Sequence, residues 1–197
     1  VLRNLRHSDA GLPRFHGSCG DVDGQLDQAL SNAESRKTSL SETSVGFAKL
    51  SNSRTTVIID AAPPPMGKKA VKADASTLAF EMVSGQRRVF TSCGPGYLFG
   101  SDLSLVGRQT SSHCAVYIED RNSSEFSSVE GWFKTSKKMI INGPRTVPKE
   151  ISNHEGVGIF EGAHDGYVQS YGLTHVRKLK LSQDGHTFEG EDLMIAI

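Results

Sequence analysis

Cysteine is scarce in this sequence: Cys19, Cys93 and Cys114 are the three in 197 residues. An odd count at wide spacing excludes a disulfide framework. What remains is three small buried apolar thiols, or a single Cys93–Cys114 bridge. An excess of charge of one sign is also missing. Lys and Arg total 22, as do Asp and Glu. No overall field therefore steers the chain to nucleic acid or to an anionic membrane. No apolar run approaches the roughly 18 residues of a membrane span, and the opening Val-Leu-Arg-Asn-Leu-Arg-His carries no leader pattern. With one Trp and 37% hydrophobic residues the core is lean, and 197 residues are enough for one sizeable domain or for one domain plus an appendage.

What is abundant is turn chemistry: 20 Gly, with many Ser, Thr and Asn. From Ser44 onward the apolar period is two. Thr55-Thr-Val-Ile-Ile-Asp60 suits a buried strand. Residues 77–83 and 87–92 flank Ser84-Gly-Gln86, a hairpin signal, and residues 173–181 and 186–194 flank Gln183-Asp-Gly185, a second one. Further strands are expected at 113–119, 138–141, 156–161 and 167–171. About ten short strands make the fold class mainly β, an antiparallel multi-stranded β-sandwich. The stretch before residue 44 differs: irregular to Phe15, then a possible helix from Gly20 to Glu34 capped by Asp21 or Asp23, with Leu26 and Leu30 on one face. The start at Val1 without Met, and the apolar run ending abruptly at Ile197, read as a segment left out upstream and a strand cut before its continuation.

The residues capable of chemistry are few. No CxxC or HExxH occurs, and Gly94-Pro-Gly96 has no helix expected after it to make a dinucleotide fingerprint. His113 opens an expected strand and could face a cleft or a metal, or form a hydrogen-bonded sheet rim. His164-Asp-Gly-Tyr167 reads most simply as a turn, with Asp165 bonding local backbone and Gly166 at positive φ. His175 and Arg177 lie on an otherwise apolar strand face and need partners, for which Glu189 or Glu191 on the next strand are candidates. Trp132, Phe133, Tyr97 and Phe99 could stack on sugar faces or pack in a core or an interdomain contact.

Read together, Arg6-His-Ser-Asp-Ala-Gly-Leu-Pro-Arg-Phe-His-Gly17, Thr55 to Pro65, Ala75 to Glu81, Ser112 to Asp120, His164 to Tyr167 and Gly190-Glu-Asp192 resemble, in that order, bacterial heparinase II/III-like proteins. The resemblance implies a helical toroid followed by an antiparallel sheet domain. Residues 1–43 would then be the end of the helical domain and a linker, and residues 44–197 the sheet domain, truncated at its C-terminus. It implies β-elimination on uronic-acid polysaccharides, with the cleft residues mostly on the absent toroid, so this chain alone is expected to be inactive. The other reading is a non-catalytic carbohydrate-binding or domain-packing module. The substrate-contacting candidates are His113, His164 and Tyr167.

The resemblance also implies a zinc site. Its third ligand position is His113, but the first falls on Asp74 and the second on Ser92 beside Cys93, and the catalytic His position falls on Lys72. Asp74, Cys93 and His113 would be proper zinc ligands by type. The departures favour a metal-free site, or one recruiting His7 or His16 from the linker. The implied partners are an acidic polysaccharide, the helical toroid and a possible second copy of the chain. The implied location is the cell envelope or periplasm of a Gram-negative bacterium, with the cytoplasm as the alternative.

Overall fold

The computed structural model describes residues 2–20, 24, 27, 28, 31, 43–130 and 136–197. Along the chain the strands are β1 (Thr43–Ser44), β2 (Phe47–Asn52), β3 (Thr55–Asp60), β4 (Phe80–Ser84), β5 (Arg87–Phe90), β6 (Glu125–Glu130), β7 (Ser136–Asn142), β8 (Lys149–His154), β9 (Val157–Tyr167), β10 (Leu173–Leu181) and β11 (Phe188–Ala196). One helical turn, α1 (Val168–Tyr171), joins β9 to β10. All described pairings are antiparallel. They form a five-stranded sheet β1-β2-β3-β4-β5, a four-stranded sheet β11-β10-β9-β8 and the hairpin β6-β7. The fold is the mainly β sandwich expected.

Turn chemistry fixes the register. Glu155 and Gly156 close β8 onto β9 with φ of +53° and +84°, both in the left-handed region that a two-residue hairpin loop needs. The two larger sheets face each other across one apolar layer. Ala48, Leu50, Val57 and Ile59 meet Phe160, Leu179 and Leu181, all buried. In a strand, alternate residues face opposite sides. Thr56, Ile58 and Asp60 of β3 therefore point away from this core, yet they are buried too. The cover is the N-terminal segment. His7 and Ser8 bond the Thr56 hydroxyl, Lys49 Nζ donates to the Arg6 carbonyl at 2.6 Å, and the Arg14 N–H donates to Glu81 at 2.9 Å. Residues 6–16 thus form a third layer on the outer face of the five-stranded sheet.

Two expected strands are absent. Residues 113–119 form turns and a single bridge, Ile118 to Arg121. Their carbonyls are taken by side chains instead: Arg177 donates to Cys114 O at 2.7 Å and Tyr167 to Val116 O at 2.5 Å. Residues 168–171 are α1, which ends at Gly172 with φ +66°. The Gly94-Pro-Gly96 turn is followed by short 3-10 helices, beginning with Gly96–Phe99. The expected helix from Gly20 to Glu34 lies largely outside the described residues.

Candidate functional site

Two carboxylates stand out as the sheet is built. Asp60 ends the apolar strand β3 and Glu81 interrupts β4, and both point to the face covered by the N-terminal segment. His16 reaches down between Asp60 and Asp74. Its Nε2 lies 3.1 Å from Asp60, its backbone N–H donates to Asp74 Oδ2, and its Nδ1 accepts the Asp74 N–H at 3.1 Å. This fixes the tautomer, with hydrogen on Nε2 facing Asp60. The Ser76 hydroxyl completes the group, donating to Asp60 at 2.6 Å. Burial alone would lower the His16 pKa, but Asp60 and Asp74 raise it above the ordinary value. Burial pushes the Asp74 carboxyl up to about 6 against the opposing pull of His16.

Beside this clamp, Glu81 is fully buried. It accepts the N–H groups of Arg14 and Ser92 and lies 3.6 Å from Arg88 and 3.7 Å from His7. His113 packs against Phe15 with the rings tilted by 40° and their centroids 6.1 Å apart. Both its ring nitrogens are buried without a hydrogen-bond partner among the described residues, and burial pulls its pKa down to about 4. Such an imidazole stays uncharged at neutral pH.

The zinc donors do not converge. The Asp74 carboxylate is committed to His16, Cys93 is exposed, and His113 is buried. Among the described residues, no three His, Cys, Asp or Glu side chains gather closely enough to hold an ion. All three cysteines are free thiols, so the Cys93–Cys114 bridge is not formed.

His164 and Tyr167 lie in a different layer, against β10. The expected turn is instead the end of β9: Gly166 is not at positive φ, and Asp165 accepts the Arg145 N–H at 2.9 Å, from a segment twenty residues away. The Gly166 N–H donates to His164 Nδ1 at 3.0 Å, so the ring's hydrogen sits on Nε2 and points at His175 Nδ1, 3.1 Å away. His175 Nε2 then donates to Asp192 at 2.7 Å, and Arg177 grips both oxygens of Asp192. The chain of donors ends in a charge-assisted pair. Burial lowers the His164 pKa to about 3. Burial alone would raise Asp192, but the bonds from His175 and Arg177 hold its carboxyl well below the usual range. Burial pushes the Tyr167 phenol up. Arg177 also donates to Leu78 O at 2.6 Å, a buried residue held at φ +62°.

Asp192 was thus missed as the partner of His175 and Arg177. Glu189 and Glu191 stand opposite Lys180 and Lys178, on the other face of the sheet, whereas Asp192 stands opposite Arg177. Strand parity, applied across the hairpin, was the available signal. His16, which the sequence offered as a recruit to a metal, bonds Asp60 and Asp74, and His7 lies against Glu81. Asp60 and Glu81 were overlooked, although an acid in an apolar strand pattern marks a buried charge in need of partners. Tyr97 and Phe99 are 54% and 69% exposed, so they lie outside the core of this domain. Trp132 and Phe133 lie outside the described residues.

Comparison with known proteins places the fold. Residues 36–196 match the family model described as heparinase II/III-like, C-terminal. FtsZ-localized protein C of Caulobacter vibrioides is 29% identical over 188 residues, a match taking 93% of this chain and 31% of that protein. A solved heparinase III with methylated lysines has the same fold, with a TM-score of 0.65 at 16% identity, over 96% of this chain and 30% of that one. The chain therefore spans about a third of the length of the relatives it matches.

Proposed function

The chain belongs to the heparinase II/III-like C-terminal family, and from that premise we propose that it is the sheet domain of a protein handling acidic polysaccharide, supporting a helical partner domain and supplying no catalytic metal or base of its own. The clamp carries this reading. Where the resemblance asks for a metal, the chain offers His16 locked between Asp60 and Asp74. Where it asks for a catalytic imidazole, the sequence has Lys72.

The protonation chemistry of the remaining candidates supports the same conclusion. β-Elimination needs a base for the proton beside the carboxylate and an acid for the leaving oxygen, with pKa values near the working pH. His113, at about 4, is a weak base. The Tyr167 phenol is pushed up and spends its hydrogen on Val116 O. Incubated alone with heparin, heparan sulfate or alginate, the chain is expected to give no rise in ultraviolet absorbance from unsaturated uronic ends. Turnover above the blank would overturn the proposal and restore a lyase reading for this domain.

A second reading is favoured by the name of the Caulobacter relative, which denotes localization and not an activity, and by the exposed rings of Tyr97 and Phe99. It is a non-catalytic module for carbohydrate binding or domain packing. Replacing both rings with Ala should lower retention on immobilised polysaccharide if they stack on sugars, and leave it unchanged if they serve packing. A cell-envelope location belongs to the first reading and is checked by fractionation.

A further inference from the structure

A cleft lies away from both the clamp and the inner histidine pair. It has a volume of about 900 Å³ and opens between the start of β6, the loop after β7, and the end of β9 with α1. We propose that this cleft is a saccharide site of its own, and that it takes a neutral polyhydroxyl chain, not a polyanion. The proposal deepens the saccharide reading above and rests on it.

The lining chemistry is the first argument. Planar polar groups dominate: the amide of Asn142, which donates to Gln169 at 2.8 Å, the guanidiniums of Arg121 and Arg145, and the carboxylate of Asp165. Each offers donors or acceptors in a fixed fork, the geometry that pairs with neighbouring ring hydroxyls. The lining is more polar than apolar, with Leu105, Phe126 and Val168 as its large apolar side chains. Arg121 and Arg145 form no side-chain hydrogen bond or ion pair among the described residues, so their donors are available.

Charge decides the class. Two guanidiniums face three carboxylates, since Asp120 and Glu125 line the cleft beside Asp165. A sulfated or uronic chain would meet at least as much like charge as opposite charge, whereas a neutral chain finds both donors and acceptors.

The walls are built and not incidental. The Asp165 carboxylate is held by the backbone N–H of Arg145 at 2.9 Å, which ties β9 to the loop after β7. A Cβ at Gly143 would lie 2.6 Å from Ser124 Oγ, so a larger residue there would push the Ser124 side chain aside. Ser124 itself is 3% exposed, and its hydroxyl has no partner among the described residues.

The test is a titration of the isotopically labelled chain with cellohexaose, maltohexaose and chitohexaose, and separately with a heparin hexasaccharide, followed by amide chemical shifts. The expected result is saturable shifts from at least one neutral chain, centred on residues 121–126, 142–145 and 165–170. Arg145→Ala and Asn142→Ala/Gln169→Ala should each weaken binding at least fivefold with the thermal midpoint retained. Heparin binding in this cleft without neutral binding, or neutral binding elsewhere, would overturn the inference while leaving the broader saccharide reading intact. Response to no saccharide at all would overturn both.

Discussion

A single histidine shows how burial sets chemistry here. The His113 pKa is pulled down to about 4 and that of His164 to about 3, both by burial. An unfolded histidine titrates near 6.5. Between pH 4 and 6 the unfolded chain therefore binds two protons that the folded chain refuses, so stability falls as pH falls. Asp74 works the other way. Its folded pKa of about 6 lies above the unfolded value, so its contribution is present at low pH and lost as pH rises through 6. His16, whose pKa is raised, adds to Asp74, but the depressed pKa values of His113 and His164 are the larger displacements. The urea midpoint should drop between pH 7 and pH 4.5, and His113→Phe should remove about 2 kcal/mol of that drop. A wild-type midpoint that rises on acidification would contradict this assignment. At this scale the sequence offered the right residue types in the wrong settings. His113 was legible as special, but its isolation was not, because nothing local announces that Phe15, about a hundred residues away, covers it.

At the scale of elements, the outer layer is the main finding. Phe15 is buried on the linker, stacked on Phe47 at 6.0 Å. Phe15→Ala should cost about 3–5 kcal/mol, measured by urea unfolding of the whole chain. A loss under 1 kcal/mol would mean that the segment only rests on the sheet. On the inner side, Arg177 serves the Asp192 carboxylate and the carbonyls of Leu78 and Cys114. Arg177→Ala leaves the carbonyls of Leu78 and Cys114 unserved and the exposed Asp192 carboxylate to His175 alone, and should cost about 2 kcal/mol, most of it from the two carbonyls. Arg177→Lys should recover only part of this, because an ammonium cannot replace the fork.

The hairpins at residues 84–86 and 183–185 were readable because turn residues report local φ and ψ. Residues 113–119 misled, because their alternation looks like a strand while side chains from β9 and β10 consume their carbonyls. Propensity sees the segment but not the distant donors.

At the scale of the whole molecule, the sandwich and its family were legible through period-two patterning and motif order, and the family model matches residues 36–196. The wiring of the site was not. It depends on which sheet face the N-terminal segment chooses, and period alone leaves that choice open. We propose that the clamp of His16, Asp60 and Asp74 holds together without a metal at the place where the resemblance implies zinc. Elemental analysis of the purified chain tests it most directly. The account predicts well below one zinc per chain, unchanged by His113→Ala. One zinc per chain, lost on that substitution, would contradict it.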